Sequence, residues 1–209
     1  MILREMILMP ALVIYMILFL AIRKKTSKQK LFVGSMIYFI SVFIIMMTLF
    51  PMPVDPVVLQ NHRDLGLQYT NNIVPFQMMY NIIKSESIAG AIYQIGGNFI
   101  MLLPLGYLIP MVTDKKIDLQ KAILIMCCIA LCIESTQFMI GQILNFNYRC
   151  FDIDDIILNA SGGILGYIMF TKTYPILNKV FDITYFENGN ENKSTLNNIL
   201  YSRYFIENE

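Results

Sequence analysis

In a chain this apolar, the residues able to do chemistry are the polar ones that interrupt hydrophobic runs. Glu134 and Gln137 lie three apart within one such run, so a helix there carries both on one face. Asp152, Asp155 and Asn159 follow at i, i+3 and i+7, a second one-face set, and Arg149 precedes them. Asn98 follows Gly96-Gly97 near the head of a third apolar run. Carboxyls such as Glu134 and Asp155, partly withdrawn from water, suit general acid–base work. Arg149 suits a bidentate grip on phosphate or carboxylate. Asn98, Gln137, Asp152 and Asn159 are placed to orient a bound group.

The plainer reading is a buried polar network that locks helix packing. In that reading Arg149 pairs with Asp152 or Asp155, and aspartates cap the helix they begin. Asp152, Asp154 and Asp155 could also gather a divalent cation, although Asp154 alone reads as a solvated residue at the interface. Histidine-based metal chemistry is not indicated. The one histidine, His62, reads as a loop residue. Cys127, Cys128 and Cys132 sit inside an apolar run without zinc-ligand spacing, and Cys150 has no evident disulfide partner. No metal and no cofactor is therefore expected.

The elements that must position these residues are membrane helices. The chain of 209 residues is 56% hydrophobic and 15% charged, whereas soluble domains average about 25% charged. The net charge of +1 gives no general attraction to nucleic acid, and none is expected as a partner. A hydrocarbon layer needs about 20 apolar residues as helix. Five segments qualify: 7–22, 31–50, about 91–112, 122–144 and 155–171. The first ends at Arg23-Lys24-Lys25 with no small-residue cleavage site, so it reads as a retained span. Segment 51–90 opens with Pro51, Pro53 and Pro56, which suits an extended start. Within it, Pro75–Lys84 reads as a short interfacial helix. The organisation is thus two N-terminal spans (1–50), a loop (51–90), a three-helix core (91–172) and a polar tail (173–209). The tail is Asn-rich, and its Asn192–Ser194 sequon falls on the side where glycosylation is not expected.

Twelve of the sixteen basic residues fall in the two loops and tail that alternate with segment 51–90. The positive-inside rule then predicts N-terminus out and C-terminus in. With that orientation, Glu134 sits about 10 Å and Asn159 about 6 Å below the outer helix ends, at 1.5 Å per residue. Asn98 comes to a similar depth. Three helices therefore carry costly polar side chains to one stratum in the outer part of the bilayer, with Arg149 at its mouth. Gly162, Gly163 and Gly166 run on from that stratum and would let a neighbouring backbone approach closely. Pro104 can bend the third span.

Four pieces together resemble the VanZ-like family of bacterial membrane proteins. They are Asn72-Ile-Val-Pro75-Phe76, Asn98-Phe-Ile-Met-Leu-Leu-Pro104-Leu-Gly106, Glu134-Ser-Thr-Gln137, and Arg149 through Asp152, Asp155, Asn159, Gly162 and Gly163 to Gly166. They span about residues 70–170, and the first two spans carry no matching motif. Members often have a serine one turn before the glutamate, where this chain has Ala130. The resemblance implies a multi-pass protein of the cell membrane, in a cell-envelope context linked to low-level teicoplanin resistance. It implies no particular reaction. Three functions compete: binding or modifying an envelope lipid or lipid-linked wall precursor at the outer leaflet, scaffolding of wall synthesis, and transport. Transport is the weakest, because the inner halves of the spans carry few polar groups and no inverted repeat is evident.

Overall fold

The computed structural model describes residues 1–67, 69–113 and 117–177. Among these the secondary structure is helical, with two isolated β-bridges and no strand. Eight α-helices follow in order: α1 (Leu8–Ile22), α2 (Lys28–Leu49), α3 (Pro56–Asp64), α4 (Gln77–Ser85), α5 (Ile88–Met101), α6 (Leu103–Val112), α7 (Leu119–Ile143) and α8 (Ile153–Leu177). A short 3-10 turn, Arg4–Ile7, leads into α1. With α5 and α6 taken as one span, five helical segments are long and apolar enough to cross a membrane. The protein is an all-α polytopic membrane protein, as the hydropathy predicts. The tail beyond residue 177, the sequon, and Lys115 and Lys116 lie outside the described residues.

Local chemistry explains the helix ends. The hydroxyl of Ser27 accepts from the Lys30 N–H at α2, and that of Ser87 from Gly90 at α5. Asp118 accepts from the Lys121 N–H at α7. The extended start expected for segment 51–90 is only partly seen. Asp55 accepts from the N–H groups of Val57 and Val58 and Pro56 fills the first helical position, so α3 forms there and carries His62. His62 sits against the ring of Phe146 at 5.7 Å. The third span breaks at the wholly buried Leu102, because Pro104 has no N–H to give the preceding turn. The fifth span is longer than expected, running from Ile153 to Leu177.

α8 is the central element. It packs against α5, α6 and α7, while α2 packs on α6 and α1 leans mainly on α2. Three apolar clusters stack through the bundle. One end holds Leu108, Met111, Tyr167, Phe170 and Tyr174. The middle holds Ile44, Leu102, Leu105, Ala130 and Ala160. Under the loops at the other end lie Leu59, Phe146 and Tyr148. That end also gathers the N-terminus, segment 51–90 and the α7–α8 loop. Ile2 and Met52 exchange backbone hydrogen bonds at 2.8 and 3.0 Å, and Tyr69 donates to the Asn147 carbonyl at 3.0 Å. The outer surfaces are apolar: Met9, Ile17, Phe32, Phe43, Leu124 and Met139 are all exposed, as expected of a bundle solvated by lipid.

Glycines set the closeness of α8. A methyl group at Gly162 would fall inside the carbonyl of Phe99 on α5. One at Gly166 would strike the carbonyl of Leu103, and one at Gly106 of α6 would strike that of Gly163. These backbones touch because nothing stands between them. Gly97 on α5 faces open space instead. Gly162→Ala should therefore lower stability by about 3 kcal/mol, the upper range for overpacking. Gly97→Ala should be neutral or stabilising by up to about 1 kcal/mol, since alanine is the better helix former. Thermal unfolding in detergent separates the two; equal melting temperatures would contradict this packing.

Candidate functional site

The site starts with a loop-to-helix junction. Residues 71–74 run beside residues 151–153 as a short parallel pair: the Asn72 N–H donates to the Phe151 carbonyl at 2.8 Å, and the Ile153 N–H to the Asn72 carbonyl at 3.0 Å. The Phe151 N–H donates to Asn71 Oδ1 at 2.9 Å. Asp152, 2% exposed, ends this pair and begins α8. Its Oδ1 accepts from the Asp154 N–H at 2.9 Å, an N-cap, and from Asn72 Nδ2 at 2.8 Å. Burial pushes the Asp152 carboxyl above its ordinary range, and the hydrogen bonds from Asn72 and the Asp154 backbone oppose that shift.

Glu134, also 2% exposed, comes from α7 and accepts the Asp152 N–H on Oε2 at 3.1 Å. It thus takes one of the orphan donors that α8 leaves at its start. Asp155, one turn into α8, accepts from Nδ2 of Asn98 on α5. The charges of Glu134 and Asp155 are within electrostatic reach of each other. Asn159 follows one turn deeper, 1% exposed, and its Oδ1 has no hydrogen-bond partner. Leaving such an acceptor unpaired in a buried position costs about 1–3 kcal/mol. α5, α7 and α8 therefore bring Asn98, Glu134, Asp152, Asp155 and Asn159 together at one end of the bundle.

Gln137 and Arg149 turn elsewhere. Gln137 donates through Nε2 to the Thr48 carbonyl at 2.9 Å, tying α7 to α2. Arg149 Nη2 reaches the Met47 carbonyl at 3.3 Å, and among the described residues it forms no ion pair with Asp152 or Asp155. The carbonyl wins because α2 ends beside the α7–α8 loop; Tyr148 likewise donates to Leu49 at 3.1 Å. Arg149 keeps an electrostatic influence on Glu134 and Asp155. Its guanidinium has further donors to offer a ligand.

Asp154 is corrected from solvated to buried, at 1% exposure. Its two oxygens accept from the N–H groups of Phe76 at 2.5 Å and Met79 at 3.1 Å, capping α4 across 75 or more residues of sequence. Phe76 needs this anchor, because its φ of 66° lies in the left-handed region that a bulky residue seldom adopts. Asn72 was the other residue missed as part of the site. Both signals were available in the sequence: Asn72 and Phe76 belong to a motif of their own, and Asp154 sits between two aspartates of another. No local pattern says that the two motifs meet.

The four cysteines are free thiols. Burial, with carboxylates at Asp152, Asp155 and Glu134 nearby, pushes the Cys150 thiol up to about 11. Among the described residues no group of three or more His, Cys, Asp or Glu is arranged to hold a metal ion. A groove of about 620 Å³ lies apart from these residues, between α1 and α2, lined by Tyr15, Phe19, Lys28, Phe32 and Phe39.

Five apolar spans, three of which carry a carboxylate–amide cluster at one end of the bundle, define a polytopic helical membrane protein with a polar end. The chain matches the VanZ/LLP1 family model over residues 32–178, more than half its length, and it belongs to that family. The match takes in α2, so the family's common region begins well before the motifs at residue 70. No curated protein and no solved structure matches the chain.

Asp154→Ala strips two backbone donors of their acceptor and should cost about 2–3 kcal/mol. The expected readout is a lower melting temperature together with faster proteolysis in segment 70–86. Unchanged protection of that segment would show that the Asp154 contacts do not hold it.

Proposed function

We propose that this VanZ/LLP1-family protein binds or modifies an envelope lipid, or a lipid-linked wall precursor, at the outer leaflet, and that it thereby lowers the access of glycopeptides such as teicoplanin. One observation carries the reading: α5, α7 and α8 converge Glu134, Asp155 and Asn159 inside an apolar bundle, without an ion-paired cation among the described residues. Such groups are expensive in hydrocarbon, and a bound polar headgroup would offset that cost.

In this reading Glu134 and Asp155 carry the proton-handling or ligand-holding role. Asn98 sets the position of Asp155, and Asp152 sets that of Glu134 through its backbone N–H. Arg149 faces an anionic part of the ligand at the mouth. Gln137 supports the site at one remove by joining α7 to α2. The exposed rings of Tyr80 and Tyr93 near this end suit an interfacial belt.

Glu134→Gln and Asp155→Asn keep size and hydrogen bonding while removing charge. In cells carrying the protein at normal levels, either change should abolish its effect on teicoplanin susceptibility. It should also abolish any lipid change seen by mass spectrometry, by on the order of 100-fold where proton transfer is involved. Wild-type behaviour of both variants would end this proposal. The location at the outer leaflet has its own test. In a cysteine-free background, Lys84→Cys should react with a membrane-impermeant maleimide in intact cells, and Lys121→Cys only after lysis. The opposite pattern would put the cluster at the inner leaflet.

A further inference from the structure

Asn159 is the residue the fold does not explain. On α8, Asp155, Asn159, Gly162 and Gly166 form one stripe at i, i+4, i+7 and i+11. The stripe faces the α5–α6 span: Asp155 accepts from Asn98, Gly162 abuts the Phe99 carbonyl and Gly166 abuts that of Leu103. Asn159 therefore points into the same seam, one turn below the Asn98–Asp155 bond and above the glycine contact. Its Oδ1 is buried there with no partner.

The carboxyls of the same cluster, Glu134 and Asp155, are acceptors too. Among the described residues, the one hydrogen bond Glu134 receives is from the Asp152 N–H. Asn98 Nδ2 gives one of its two N–H donors to Asp155, and neither reaches Asn159 Oδ1. The cations at this end are engaged elsewhere: Arg4 on the Phe50 carbonyl, Arg149 on the Met47 carbonyl, Arg63 on the carbonyls of Leu144 and Asn145, and Lys84 over the ring of Tyr80. With both carboxyls ionised, the two carboxylates and the orphan amide oxygen form a set of acceptors. Its complement must bring donors and positive charge in a compact form. A primary ammonium has three donors in that form. On the α5 side Asn98 and Asp155 are only half-buried, so the upper end of the seam is the part a ligand would reach.

We propose that the seam between α5, α7 and α8 is a primary-ammonium site, with Glu134, Asp155 and the Asn159 amide oxygen as its three acceptors. This deepens the lipid-site reading and rests on it. The amine could belong to an aminophospholipid headgroup or to a lysine-type side chain of a wall-precursor peptide; both present the same group. An ammonium seated there would have its attached phosphate or backbone toward Arg149.

The test uses the full chain in nanodiscs, with lipid retention read by native mass spectrometry and melting temperature measured alongside. Phosphatidylethanolamine should be retained over phosphatidylglycerol and phosphatidylcholine by roughly tenfold, the worth of about one charge-assisted hydrogen bond. Asn159→Leu should lose that preference while melting no lower than wild type, because the substitution removes an unpaired acceptor. Asn159→Asp, which keeps an acceptor, should retain the preference. Displacement of the lipid by Nα-acetyl-lysine methyl ester, but not by its Nε-acetylated form, would assign the amine to a peptide; resistance to displacement would assign it to the lipid. Preference for phosphatidylglycerol, abolished by Arg149→Ala, would overturn the ammonium site and leave the lipid reading standing. Equal retention of all three lipids in every variant would overturn both. A large loss of melting temperature in Asn159→Leu would also overturn the ammonium site, since it would show that the amide is already bonded within the fold.

Discussion

The hydrogen bonds of Asp152 hold the polar end of this molecule together. Its carboxylate joins a residue from segment 51–90, Asn72, to the first turn of α8, and its own N–H is taken by Glu134 of α7. One residue thus connects three parts of the chain that lie far apart in sequence. In water such bonds would contribute modestly, because solvent competes for every donor. Close to hydrocarbon the alternative to pairing is a bare polar group. The same argument makes Asp154 cap α4 rather than face solvent, and makes the unpaired Asn159 unusual.

Below that layer, packing replaces polar bonding. Membrane helices gain little from hiding apolar surface from apolar lipid, so close backbone approach supplies much of the attraction. Gly106, Gly162 and Gly166 provide it where α8 meets the α5–α6 span, and Gly163 leaves room for the Met126 side chain of α7. The break at Leu102 belongs to the same design. Pro104 turns the second half of the span so that Gly106 can lie on Gly163 while Asn98 still reaches Asp155. Polar cluster and glycine seam share one stripe of α8, so the site's geometry depends on the packing beneath it.

Much of the fold was legible in the residues. The spans follow from runs of apolar side chains, and the faces carrying Glu134, Asp155 and Asn159 follow from helical spacing. The short α3 was hidden because prolines at 51 and 53 speak for extended chain, while the cap at Asp55 that starts the helix is visible only in its contacts. Asp154 was misplaced for a related reason. A carboxylate at a helix start is soluble by default, and its burial depends on Phe76, 78 residues earlier. Arg149 had carboxylates close in sequence, yet it went to the end of α2, 102 residues away.

Sequence by itself determined that this is a five-span helical membrane protein with a few polar side chains near one end. Span length is set by a fixed rise per residue, and side-chain direction by a fixed turn, so both are local properties of the chain. Only the tertiary structure decided which polar groups are satisfied and which is left over. That outcome depends on the distance between backbones that glycines allow and on loops that return across the bundle end. Asn72 reaches Asp152 over 80 residues, Gln137 is committed to α2, and Asn159 faces the seam with its oxygen unpaired.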